Sequence, residues 1–117
     1  MKFLVLYKIP ASVMDEWKKT SPESRKAAED KLQLEWQDWT SGRAKLFSDV
    51  GAGLGKTKSV TANGTSDARN DLVMYAIAQG DSQDAVAKTF EGHPHLQIPQ
   101  TSIEVMELYP LPDKTKK

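Results

Sequence analysis

Two histidines, His93 and His95, stand two residues apart around Pro94 in the segment FEGHPHLQIPQTSIEVMELY, residues 90–109. Imidazole is the side chain whose ordinary pKa lies near neutrality, so proton transfer or metal ligation would centre here. In an extended segment, residues two apart project to one side, which suits a shared proton or a shared ligand. A metal needs a third ligand, and Glu91 is the one acid close by, so no metal site is expected. The structural alternative is a turn in which one imidazole caps the end of a helix near Phe90 and Gly92 while the other packs at an interface.

Asp49 is the acid best placed to join them. It lies between Phe47 and Val50, ahead of the glycine run GAGLG. There it either accepts hydrogen bonds from loop amides or orients a histidine as a general base. With Tyr7 near the end of the first apolar run, the candidate catalytic set is His93, His95 and Asp49, and the candidate ligand-binding set is Tyr7, Asp49, His93 and His95. Glu104 and Glu107 interrupt the last apolar run on opposite faces, which places each near an edge or in a pair. Trp17, Trp36 and Trp39 form no binding box at their spacing and are expected in core and interface.

The run GAGLGKT, residues 51–57, invites a phosphate-loop reading that its spacing refuses. The pattern GxxxxGK[ST] would need glycine at position 50, which is Val50, and the following KSVTA favours a strand where a helix should open. GxGxxG fails too, because position 56 is Lys56. A bulge or connection between strands is expected instead.

The elements that must position these groups follow from periodicity. Residues 2–9 form a short apolar run ended by Pro10, a strand; residues 12–19 form a helical turn or two. Ser21-Pro22-Glu23 is a helix start, with a capping serine, a first-turn proline and an acid on the dipole. Ala28, Leu32, Trp36 and Trp39 then make one apolar stripe as far as Gly42. Strands are expected at 44–50, at 56–62 as an exposed edge, and at 72–78, with a polar loop from Asn63-Gly64 to Asn70. A short helix capped by Asp81 or Ser82 ends at Gly92, and a last strand covers 102–109 before Pro110 and Pro112.

The order is β-α-β-β-α-β, the ferredoxin-like α+β pattern, an antiparallel sheet with both helices on one face. The first, fourth and last strands are apolar on both faces: Phe3, Val5 and Tyr7 oppose Leu4 and Leu6, and Leu72, Met74 and Ala76 oppose Val73, Tyr75 and Ile77. Two helices cover one face only, and a bare apolar face calls for a partner. A homodimer with sheets facing each other is the simplest cover.

The bulk numbers agree with one domain. A chain of 117 residues buries roughly 65% of its unfolded surface, and 38% apolar with 27% charged residues is globular. We expect a single domain at 1–112 and a flexible tail at 113–117 carrying Lys114, Lys116 and Lys117. Sixteen basic and sixteen acidic residues leave no field for nucleic acid or an anionic membrane. The absence of cysteine excludes disulfides and thiolate chemistry. No membrane-length apolar run or signal-peptide core is present, so the expected location is cytoplasmic.

The whole of residues 2–110 resembles the YCII-related proteins of the dimeric α/β-barrel superfamily. The likeness is carried by KFLVLYK, KLFSDVGAGLG, LVMYAIAQGDSQDAVAKTFEGHPHL and SIEVMELYPL, in that order and spacing. It implies two ferredoxin-like subunits with their sheets together. The wider superfamily includes monooxygenases and isomerases acting on small, often aromatic molecules, and in the YCII-related branch a His–Asp pair suggests enzymatic activity. That histidine lies in the family's first helix, whereas here the helix over 22–41 has none, so Asp49 matches the acid but the pair does not carry over as a dyad; His93 and His95 stand where relatives carry a His-Pro or Cys-Pro. The resulting expectation is an enzyme without a cofactor, using a histidine as base and Asp49 as its orienter. The alternative is a non-catalytic dimeric module that binds a small apolar or aromatic ligand or regulates a partner.

Overall fold

The computed structural model describes residues 1–111; the expected tail at 113–117 lies outside the described residues. The strands are β1 (Lys2–Lys8), β2 (Phe47–Gly53), β3 (Thr57–Thr61), β4 (Gly64–Ala68), β5 (Leu72–Gln79) and β6 (Ser102–Glu107). The helices are α1 (Ala11–Lys19), α2 (Pro22–Ser41) and α3 (Gln83–Thr89), with 3-10 turns at Ala44–Leu46 and Pro94–Gln97.

Four strands make one antiparallel sheet in the order β2-β5-β1-β6, and β3 and β4 pair separately. This mixed α+β arrangement is consistent with the ferredoxin-like expectation. β1 is central, so its alternation decides which residues meet the helices. Phe3, Val5 and Tyr7 are buried, and with Ala76 and Ala78 of β5 they form the floor of the core. α2 packs Trp36 and Trp39 onto that floor, and α3 packs Val86, with Phe90 following it. The smallest dimension of the molecule is 21 Å, about two layers thick.

α2 and α3 both begin where the sequence places a cap. Ser21 accepts a hydrogen bond from Ser24 N at 3.3 Å with Pro22 in the first turn, and Ser82 accepts from Ala85 N at 3.1 Å. The opposite face of the sheet carries Leu4, Leu6, Tyr75, Ile77 and Met106 and contributes no fully buried residue. Its rim is charged: Lys8 lies 3.3 Å from Glu104 and 3.6 Å from Asp71.

The strand expectations need three corrections. The stretch expected as the second strand opens as a 3-10 turn at Ala44–Leu46, and β2 starts at Phe47. The glycine run does not break that strand; Gly51 forms a bulge inside it, at a φ of 79°, and no helix follows. The polar loop after Asn63-Gly64 contains β4, whose sequence GTSDA lacks any strand signal. β4 forms because the turn sets its register against β3 and Lys58 pairs with Asp67 across it. The expected third strand therefore leaves the sheet and projects as a hairpin, with Val60 75% exposed.

At Gly51 the backbone passes so close to β5 that a Cβ would run into the Tyr75 carbonyl oxygen. Gly51→Ala is expected to lower stability by at least about 2 kcal/mol, through both the positive φ and the clash. At Gly55 nothing lies near an added Cβ, so Gly55→Ala should stay within about 0.5 kcal/mol. Urea unfolding of the two variants checks the contrast.

Candidate functional site

The site is built on the end of β1. Tyr7 faces Met74 of β5 on one side and Ile103 of β6 on the other, which puts its ring mid-sheet on the helical face. Above it runs the 3-10 turn Pro94–Gln97, with His93 at its cap. Pro94 supplies a fixed φ for the first position of that turn. His93 N donates to Phe90 O at 3.1 Å, so the turn continues directly from the end of α3.

Both imidazoles are inside the protein, His93 at 1% and His95 at 2% exposure. His93 Nδ1 accepts a hydrogen bond from His95 N at 2.9 Å. With Nδ1 accepting, the neutral ring carries its proton on Nε2. The nitrogen Nε2 of His95 lies 3.0 Å from Lys8 O, and because a carbonyl only accepts, His95 donates there. Thr101 Oγ1 closes the turn by donating to His95 O at 3.0 Å and to Ile98 O at 2.7 Å. His95 thus braces the turn onto β1. Neither imidazole caps the end of α3 with a hydrogen bond.

Aromatic rings surround His93. Its centroid lies 4.2 Å from Trp36, 4.4 Å from Trp39, 5.2 Å from Tyr7 and 6.1 Å from Phe90. Such a shell penalises the imidazolium. Burial first, then the neighbouring His95 and Arg43, push the His93 pKa down to about 4. His95 is lowered by burial too, opposed by the backbone carbonyls of Lys8 and Ser102. Burial raises the Tyr7 phenol far above its ordinary value. At neutral pH the cluster therefore presents donors and no formal charge.

Two of those donors lack acceptors. His93 Nε2 and Trp39 Nε1 are both buried without a hydrogen-bond partner. Each unsatisfied buried donor costs about 1–3 kcal/mol. Even an N–H···π contact across the perpendicular Trp36–His93 pair would be a second-order compensation.

The structure brings Tyr7, His93 and His95 together and does not bring Asp49 to them. Asp49 is exposed, its Oδ1 accepting from Gly51 N at 2.8 Å, which is the loop-amide reading of that residue. It pairs with Ile77, whose side chain points to the opposite face of the sheet from Ala76 and Ala78. Trp36 and Trp39, expected to form no box, line His93 as two of its walls. Arg43, just past the end of α2, is a residue to which type and motif alone do not point. Its guanidinium sits 4.5 Å from the Trp39 ring centroid while Nη1 donates to Trp39 O at 3.0 Å. The signal was present as spacing: Trp36, Trp39 and Arg43 follow at i, i+3 and i+7.

A groove of about 500 Å³ opens beside the cluster, between α3 and β6, walled by Phe90, Leu96, Ile103 and Val105. Phe90 separates it from His93, so neither imidazole lines it. Among the described residues no group of three or more His, Asp or Glu side chains could hold a metal ion, and no helix is long and apolar enough to cross a membrane.

No family model matches the chain, and no curated protein matches it. Among solved structures it is similar to 5-chloro-2-hydroxyhydroquinone dehydrochlorinase (TftG) from Burkholderia phenoliruptrix AC1100, in complex with 2,5-dihydroxybenzoquinone. The match has a TM-score of 0.50 and 16% identity, covering 89% of this chain and 91% of that one. At this identity the likeness is one of fold.

The depressed His93 pKa sets a pH dependence with a definite sign. The folded state binds fewer protons than the unfolded state between about 6.5 and about 4, so the stability held above pH 6.5 is lost as the pH falls through that window. The loss is on the order of 3 kcal/mol at most. Urea unfolding at pH 7.5 and pH 4.5 should show it, and His93→Asn should reduce the difference, since its side-chain oxygen can still accept from His95 N.

Proposed function

We propose that this chain is a homodimer that takes a small aromatic ligand without a resident cofactor, with His93 as the polar anchor of the site. The observation that carries this reading is the imidazole of His93: fully buried, fixed by His95 N in one tautomer, walled by Tyr7, Trp36 and Trp39, and offering Nε2–H to no protein acceptor. Small-molecule sites are usually lined by apolar and aromatic side chains with few polar groups, and that is the composition of the shell around His93. His95 and Tyr7 complete it, His95 by holding the turn and Tyr7 by supplying a phenol that burial keeps protonated. Asp49 belongs to the opposite face of the sheet and has no role here.

The same chemistry says what the site does to an oxygen-bearing ring. A neutral histidine whose free nitrogen already carries its proton polarises an oxygen; it does not abstract a proton. Binding and polarisation of a carbonyl or hydroxyl is therefore the best-supported activity. An enzymatic step built on it would be acid-assisted, and the fold is one on which TftG holds 2,5-dihydroxybenzoquinone.

The homodimer reading rests on Leu4, Leu6, Tyr75, Ile77 and Met106 sharing one face that no buried residue of the chain belongs to. Packing two such sheets together would remove the face from water at roughly 25 cal/mol per Å².

Two measurements test the reading. Light scattering should give twice the 13.0 kDa chain mass, and Leu6→Lys should give a folded monomer; a monomeric parent at micromolar concentration would end the dimer proposal. Hydroxylated and carbonyl-bearing benzenes should quench tryptophan fluorescence saturably, and His93→Phe should weaken the best of them at least tenfold. A panel in which nothing binds, or in which His93→Phe binds equally well, would rule out His93 as the anchor.

A further inference from the structure

β6 is an edge strand, last in the order β2-β5-β1-β6. Its pairing with β1 decides which backbone groups that edge leaves free. Leu108 N donates to Lys2 O, so the even-numbered residues turn their backbone groups toward β1, while Ile103 and Val105 turn theirs outward. Of those outward groups, Val105 O accepts from Gln83 Nε2 at 3.0 Å. Gln83 opens α3, and its carboxamide stands where the N–H of a further strand would donate. Among the described residues, the N–H and C=O of Ile103 and the N–H of Val105 have no hydrogen-bond partner. Beside them lies the groove of about 500 Å³ between α3 and β6. We infer that this groove receives an extended peptide segment of a partner protein, apolar and basic in sequence, which pairs with β6 as an added strand. The inference is independent of the His93 reading, because neither histidine lines the groove.

Three observations select this occupant. The free main-chain groups call for another backbone, and an exposed strand edge is a template for one. The walls beside them, Ala87, Phe90, Leu96, Ile103 and Val105, suit the apolar side chains that alternate along one face of such a strand. The ionisable residues lining the groove are Asp84 and Glu91, both acids, both exposed, and neither in an ion pair among the described residues. Asp84, Ala87 and Glu91 follow at i, i+3 and i+7, so the carboxylates share one side of α3 and its end, about 10 Å apart. Residues four apart on one face of a strand are separated by about 14 Å, and two flexible lysines at that spacing reach both. A second copy of this chain supplies no such strand. β2 and β6, the two edges of the four-stranded sheet, read FSDVGAG and SIEVME, and their charged residues are all acids. Either one laid on this edge would bring acid to acid.

The test uses the full chain labelled with 15N and three acetylated, amidated nonapeptides at low ionic strength. The first has threonine at its odd positions and alternating valine and lysine at the even ones. The second carries glutamate in place of lysine. The third is the lysine peptide N-methylated throughout, which keeps the side chains and removes every strand donor. The lysine peptide should shift the Ile103 and Val105 amide resonances saturably and slow their exchange with solvent. It should bind at least tenfold more tightly than either of the others. Asp84 and Glu91 are exposed and Ser82 still caps α3, so the double variant Asp84→Asn, Glu91→Gln should fold. That variant should weaken the lysine peptide tenfold or more. Equal binding of the lysine and glutamate peptides, or of the N-methylated one, would overturn the inference. Ile103 and Val105 amides that no peptide moves at millimolar concentration would overturn it too. So would protection of those amides that grows with protein concentration alone, since a second copy would then hold the edge.

Discussion

Inside the shell of Tyr7, Trp36, Trp39 and Phe90, an imidazolium would sit without a carboxylate to balance it. Desolvation of an unpaired charge is expensive, so the interior admits these two rings as neutral groups. A neutral imidazole still needs its nitrogens satisfied, and the backbone supplies partners: His95 N for His93 Nδ1, Lys8 O for His95 Nε2. Those two bonds decide the path of the chain from α3 to β6. They fix the tautomer of each ring, seat Pro94–Gln97 against β1, and leave His93 Nε2 as the group that the protein does not satisfy. The chemistry of the site is thus a consequence of how the turn is anchored.

The proposed division of labour between the two sheet faces follows from the period of a strand. Phe3, Val5 and Tyr7 meet the helices, while Leu4 and Leu6 point the other way. Asp49 falls on the second side because it pairs with Ile77 beyond the register shift after Phe47. A carboxylate on the site face would have stabilised a charged histidine and raised its pKa. Its placement on the outer face keeps the interior apolar and the imidazoles uncharged.

Much of this was legible in the sequence. The period-two alternation of β1 and β5, the Ser21-Pro22 cap, the stripe through Leu32, Trp36 and Trp39, and the turn around Pro94 all report local physics that tertiary contacts leave unchanged. What escaped was set by long-range register. β4 has no hydrophobic pattern and exists because a turn folds it against β3. At Gly51 the sequence leaves a bulge or a connection open, and the close approach of β5, which admits no side chain, makes it a bulge. For the site, the histidines announced themselves by type, whereas Trp36, Trp39 and Arg43 read as core and helix end. Their role depends on which face of α2 meets the turn after α3, and one-dimensional spacing does not encode that pairing.

β1 joins the two faces in a way that constrains change. Its odd-numbered residues from Phe3 to Tyr7 build the floor of the site, its even-numbered leucines build the face assigned to a second copy, and Lys8 contributes the carbonyl that holds His95. A slip of one residue in its pairing with β5 and β6 would exchange the two sets at once and move the Lys8 carbonyl away from the imidazole. The register is locked at both ends, by Gly80 N to Met1 O at 3.1 Å and Ile9 N to Asp71 O at 2.8 Å. The proposed association on one face and the proposed ligand anchoring on the other are therefore not independent. A substitution on the leucine face that keeps the register leaves the histidine bonds in place, whereas one that disturbs the strand's register takes the His95–Lys8 contact with it.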